Sequence, residues 1–122
     1  MTVDAVGGVE AAIAAFAAGE PVMVFDSAFR ECETDLLWPA TAATPEVMRR
    51  LRQDCGGLLF LAIGDEIGQL FDLPWLQDIH THPALVADNP VLAHLVTNDL
   101  QYDTRSAFTL SVNHRDTYTG IT

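Results

Sequence analysis

Two short apolar runs, Val22-Met23-Val24-Phe25 and Leu36-Leu37-Trp38-Pro39-Ala40, bracket a stretch in which Arg30, Glu31, Glu33 and Asp35 crowd together. Each run is too short for a helix and long enough for a strand. A segment this charged cannot be buried between them, so residues 26–35 are predicted to be a surface loop joining two strands. That loop is the strongest constraint on the fold, because it commits the first third of the chain to two strands joined by a charged connection.

The flanking sequence supplies helices. Val9 to Ala18 is alanine-rich, places Val9, Ile13 and Phe16 on one face, and meets a stop at Gly19. Thr44-Pro45-Glu46 carries a capping residue and a first-turn proline, and opens a helix that turns Val47, Met48 and Leu51 inward and ends before Gly56-Gly57. Leu58 to Ile63, "LLFLAI", is continuously apolar and is predicted to be a strand buried on both faces. Asp65 to Phe71 reads as a short helix closed by Pro74, and Asn89 caps a helix from Pro90 onward. Residues 106–113, "SAFTLSVN", alternate as a strand does. Strands and helices interleave without strict βαβ order. The expected fold class is therefore α+β, a mixed β-sheet with helices packed on it in three layers. At 122 residues with 49% hydrophobic residues, the chain is expected to form a single domain over 1–122.

Charge narrows the partners. Seventeen acids face six bases, all arginine, for a net charge of −11. Such a surface repels phosphate backbones, so nucleic acid is excluded as a partner. The same acidity is a mark of proteins adapted to high salt. Melting temperature is accordingly expected to rise between low and molar KCl, since salt screens like charges beyond about 8 Å already at physiological ionic strength. A flat or falling melting temperature would contradict it. No apolar run is long enough to span a bilayer, and "MTVDAVGG" has no basic segment followed by an apolar one, so the expected location is the cytoplasm, with no membrane partner.

Carboxylates as close as Glu31, Glu33 and Asp35 repel, so they must be solvated, paired with Arg30 or shared with a cation. One reading is a solvated acidic loop on an acidic protein. The other is a Mg²⁺ site, in which one or two carboxylates bind the ion, the others move protons, and Arg30 holds a phosphate or enolate oxygen. The remaining candidates are fewer. His80 and His82 form a His-x-His pair with no third ligand near it, followed by Pro83, and fit a surface loop better than a metal. His94 is expected to pack, half-buried, on a helix face, and Trp38 and Trp75 in the core. Cys32 sits among carboxylates, which disfavour the thiolate.

The stretch "DSAFRECETD" resembles the signature loop of 3,4-dihydroxy-2-butanone 4-phosphate synthase, a family that carries Arg-Glu-x-Glu-x-Asp after a strand ending in Asp. Asp26, Arg30, Glu31, Glu33 and Asp35 fall in register with it. "RQDCGGLL" is similar to the family's Arg-x-x-x-Gly-Gly segment, and "SAFTLSVNHRDTYTGIT" to the later strand and turn of the archaeal form. The resemblance runs from about Val9 to Thr122. It implies conversion of ribulose 5-phosphate to 3,4-dihydroxy-2-butanone 4-phosphate and formate with Mg²⁺ or Mn²⁺, in a homodimer. It further implies that Glu31 is a metal ligand, that Asp26, Arg30, Glu31 and Asp35 meet the substrate, and that Glu31, Glu33 and Asp35 are catalytic, with Asp26 and Glu33 completing the acid–base set.

Thr109 could donate a hydroxyl to the phosphate or be a plain strand residue, and His114-Arg115 resemble a segment lining the pocket near the subunit interface. Phe29 and Ser27-Ala28 stand where the family often has acids, and Phe60 where many members have a cysteine near the substrate. Family chains continue beyond "TGIT" to an Arg-x-Gly-His-Thr segment that binds phosphate and supplies a histidine metal ligand. The expectation is thus of an incomplete, N-terminal portion of the synthase fold. A non-catalytic relative that binds metal or a partner chain remains the alternative.

Overall fold

The computed structural model describes residues 8–96 and 98–113. The chain divides into two compact units, residues 1–62 and 63–122, and each is described by itself. Among the described residues no helix is long and apolar enough to cross a membrane. His114 and Arg115 lie outside the described residues.

In the first unit, helix α1 spans Val9–Ala17. It ends in a Schellman turn: Gly19, at φ +83°, donates to the Phe16 carbonyl at 3.1 Å, and Glu20 donates to the Ala15 carbonyl at 2.9 Å. A left-handed residue is required there, which is why glycine stops the helix. Strand β1, Val22–Phe25, then pairs antiparallel with β2, Thr34–Leu37. The register sets Val22 against Leu37 and Phe25 against Thr34. Strand β2 starts earlier than the apolar pattern predicts, so Asp35 is a strand residue opposite Val24 and the connecting loop is 26–33. The Trp38 indole N–H donates to the Gly19 carbonyl at 3.2 Å and ties the end of the hairpin to the cap of α1. Helix α2 spans Pro45–Asp54, with the Thr44 hydroxyl accepting from the Val47 N–H at 3.3 Å. Val47 is buried and Met48 and Leu51 are half-buried, as the helical spacing predicts.

In the second unit, three short helices follow: α3, Asp65–Leu70; α4, Leu76–His80; and α5, Pro83–Asp88. A 3₁₀ turn over Pro90–Leu95 packs with α4 and α5. The helix expected from Pro90 is therefore only this tighter turn. Asn89 does not cap it; its side chain donates backward to the Leu85 carbonyl at 3.3 Å. Arg105 stacks 4.6 Å from the Trp75 ring and pairs with Asp78 at 3.5 Å.

The class is α+β, with one antiparallel strand pair among the described residues. Two predicted strands do not form. Residues 106–113 are irregular, held by the Leu76 N–H donating to the Phe108 carbonyl at 2.9 Å. Leu58 to Ile63 is irregular and exposed instead of buried on both faces. An apolar or alternating pattern states what a segment can bury, whereas a strand also requires a ladder of backbone hydrogen bonds, which among the described residues is formed between β1 and β2.

Candidate active site

The loop between β1 and β2 is built on Asp26. Its carboxylate accepts from three backbone N–H groups: Glu31 at 2.9 Å on one oxygen, and Ser27 and Glu33 (3.0 Å) on the other. The Asp26 N–H donates to the Glu33 carbonyl at 3.2 Å, which closes the loop where the strands meet. Ser27 forms the next turn, its carbonyl accepting from the N–H groups of Arg30 and Cys32. The Ser27 hydroxyl accepts from the Phe29 N–H at 3.3 Å, and with the Asp26 carboxylate supplies the side-chain mimicry of a backbone turn at which serine and aspartate excel. One Arg30 nitrogen lies 2.7 Å from a Glu31 oxygen and 3.5 Å from the carboxylate of Asp26. The structure thus brings Asp26, Arg30, Glu31 and Glu33 together.

Burial, the largest single influence, pushes the Asp26 carboxyl up from its ordinary value of 3.8, but the N–H groups of Ser27, Glu31 and Glu33 together with the Arg30 charge outweigh it and hold the carboxyl lower. The sign follows. A carboxylate whose folded value is depressed stabilises the loop above its unfolded value, and the effect is lost as pH falls through the folded one. Amide shifts of Ser27, Glu31 and Glu33 should therefore share one transition as pH falls through the lowered Asp26 value. Asp26→Asn should abolish that shared transition; a transition unchanged in the variant would show that another group controls the loop.

Since both Asp26 oxygens are engaged by the loop, its carboxylate serves to shape the loop. The side chains of Glu33 and Asp35, by contrast, are exposed and make no hydrogen bond among the described residues. Thr109 is half-buried in the irregular 106–113 segment of the second unit. His80 ends α4 and His82 precedes α5, so the pair sits at a helix junction and not on a strand. His94 is exposed in the 3₁₀ turn, correcting the expected packing role: a 3₁₀ turn of this length offers too narrow a face to bury it. Among the described residues no group of three or more His, Cys, Asp or Glu side chains could hold a metal ion. The loop instead offers two exposed carboxylates, Glu31 and Glu33, which suits an ion such as Mg²⁺ that binds through one or two carboxylates and keeps water on its other positions.

Charge pattern alone does not find the Asp26 scaffold, although the Asp-Ser pair at the strand end is a turn signal. It also misses Cys32, which holds φ +56°, a left-handed conformation that favours glycine or asparagine. Cys32→Gly is expected to stabilise the first unit by up to about 1 kcal/mol, after the entropy that glycine adds to the unfolded chain. Reversible unfolding checks it, and destabilisation would mean that the thiol makes a contact outweighing the strain.

A family model described as 3,4-dihydroxy-2-butanone 4-phosphate synthase matches residues 10–122. The chain is 40% identical over 114 residues to the enzyme of that name from Methanothermobacter thermautotrophicus, covering 93% of this chain and 49% of the relative. It is 39% identical over 112 residues to that of Methanosarcina mazei (90% of this chain, 44% of the relative). It is 38% identical over 120 residues to that of Archaeoglobus fulgidus (93% of this chain, 47% of the relative). The chain spans about half the length of the curated relatives it matches. With the match extending over nearly every residue and including the Asp26-centred loop, the chain belongs to the 3,4-dihydroxy-2-butanone 4-phosphate synthase family.

Proposed function

We propose that this chain carries the acidic-loop half of a synthase active site in riboflavin biosynthesis, one that converts D-ribulose 5-phosphate to 3,4-dihydroxy-2-butanone 4-phosphate and formate. The observation that carries the reading is the loop itself: Arg30, Glu31, Glu33 and Asp35 stand in the family's order on a hairpin, organised by Asp26 through three backbone N–H groups. The five-carbon sugar phosphate divides into a four-carbon product and formate with every atom accounted for. No oxidant or organic cofactor is needed, only proton transfers and carbon–carbon rearrangement.

Such chemistry needs several proton donors and acceptors in a small volume. Glu33 and Asp35, both exposed to solvent, take and return protons at the sugar carbons and hydroxyls. Arg30, beside Glu31 and Asp26, directs its guanidinium fork at a phosphate or enolate oxygen alongside these loop partners. Asp26 is a positioning residue that keeps the loop closed. Glu31 would hold Mg²⁺ or Mn²⁺, which when bound would supply positive charge where negative charge develops on the sugar oxygens. A homodimer belongs to the same reading, on the resemblance alone.

A fusion tests the proposal. Residues 9–122 of this chain replace the matching segment of the Methanothermobacter relative, and formate release from ribulose 5-phosphate is measured with Mg²⁺. Turnover supports the reading. A folded fusion that binds the sugar phosphate without releasing formate would overturn it.

A further inference from the structure

The second unit holds a cavity of about 250 Å³, formed by residues of α4, the 3₁₀ turn and the irregular segments after it. Its lining includes the apolar Leu76, Leu95 and Leu100 and the polar Gln77, His80 and Ser106. None of them belongs to the acidic loop. Leu76 and His80 lie four apart on α4 and so share one face of it. Ser106 is fastened to α4 through its neighbour: the Leu76 N–H donates to the Phe108 carbonyl at 2.9 Å, and the Ser106 hydroxyl accepts from the Phe108 N–H at 3.4 Å. A largely apolar concavity with a few convergent polar groups is the usual form of a small-molecule site.

Size and charge define the ligand. A cavity of about 150 Å³ takes benzene, so this one takes a single ring with a small substituent. Leu95 is 54% exposed and Leu100 43%, so a ring seated on them removes apolar surface from water. The side chains of Gln77 and His80 make no hydrogen bond among the described residues, and the Ser106 hydroxyl has a proton left to donate, so each can meet a ligand hydroxyl. No arginine or carboxylate lines the cavity. Arg105, next to Ser106, is engaged by Asp78 at 3.5 Å and by the Trp75 ring at 4.6 Å. With a net charge of −11 the chain repels anions, which favours a neutral ligand over a carboxylate or phosphate. We propose that this cavity binds a small uncharged molecule, one ring bearing a hydroxyl, with the ring on the leucines and the hydroxyl on the polar residues.

The test titrates the 122-residue chain, followed by its backbone amide shifts, with 4-methylphenol, toluene and 4-methylbenzoate. The expected result is saturable shifts centred on Gln77, His80, Leu95, Leu100 and Ser106 with 4-methylphenol. Toluene, which lacks the hydroxyl, should bind at least about threefold more weakly, and the charged 4-methylbenzoate at least about tenfold. Leu100→Trp, which fills the cavity from a partly exposed position, should abolish the shifts while α4 keeps its hydrogen-exchange protection. Gln77→Leu combined with His80→Leu should bring 4-methylphenol and toluene within about twofold of each other. No saturable shift, equal binding of the three compounds, or a preference untouched by the double variant would each overturn the proposal. The fusion repeats the titration with the rest of the family polypeptide present. Binding there supports the site, and its loss would show that the remaining polypeptide fills the cavity, which also overturns the proposal.

Discussion

Glu31→Gln in the fusion lowers formate release at least about 100-fold and leaves the fold unchanged. The two halves of that result have separate causes. The fold is spared because the bond that positions residue 31 comes from its backbone N–H, which donates to Asp26 at 2.9 Å and survives the substitution. The side chain adds only an exposed pair with Arg30, 2.7 Å away and about 40% exposed on each side, and exposed pairs contribute about 0–1 kcal/mol. Activity is lost because a neutral amide is a poor ligand for a hard divalent cation. Glutamine matches glutamate in shape, so the variant separates charge from packing. Activity should not return in full at raised Mg²⁺, because an ion that binds off its proper position does not stabilise charge where it forms. Near wild-type turnover would show that Glu31 is not a ligand, and a loss matched by weakened hydrogen-exchange protection in β1 and β2 would show a structural role instead.

What the residues disclosed before any coordinates, and what they did not, divides along a physical line. Helices α1 and α2 were legible because their signals are local: Gly19 must take a positive φ, and the Thr44 hydroxyl reaches the Val47 N–H three residues on. The two strands were legible because they are short apolar runs separated by charge, but their pairing as a hairpin was not. Nor was its register, since the sequence pattern put Asp35 in the loop and the pairing of Phe25 with Thr34 puts it in β2. The strands expected at 58–63 and 106–113 depend on partners distant in sequence. Their patterns report what each segment would bury and say nothing of whether a neighbour is at hand. The acidic loop was visible as a cluster of charge, but its organiser was not. Asp26 looked like one more carboxylate, and only the three N–H groups converging on it reveal that it shapes the loop.

Residues 1–122 alone are expected to release no measurable formate, even at saturating Mg²⁺. The resemblance assigns the ion one carboxylate of this loop, Glu31, and the sugar phosphate one strong cation, Arg30, which already lies within 4 Å of Asp26 and Glu31. The family's Arg-x-Gly-His-Thr segment, which the resemblance assigns to phosphate binding and to a histidine ligand, does not occur in these 122 residues. The described histidines do not replace it. His80, His82 and His94 belong to α4, the α4–α5 junction and the 3₁₀ turn, and none takes part in a metal-capable cluster among the described residues. Each missing charge-assisted contact to phosphate weakens binding by about ten- to a hundredfold, at about 1.5–3 kcal/mol apiece. A missing metal ligand adds a further loss, because the position of the ion sets its effect. Together these place the rate at least about 10⁴-fold below that of the fusion. The measurement is formate released from ribulose 5-phosphate by the purified 122-residue chain across a range of Mg²⁺, with the fusion as reference. Turnover within 100-fold of the fusion would mean that one loop holds both ion and phosphate, and the division of the site between two halves of the family polypeptide would have to be abandoned.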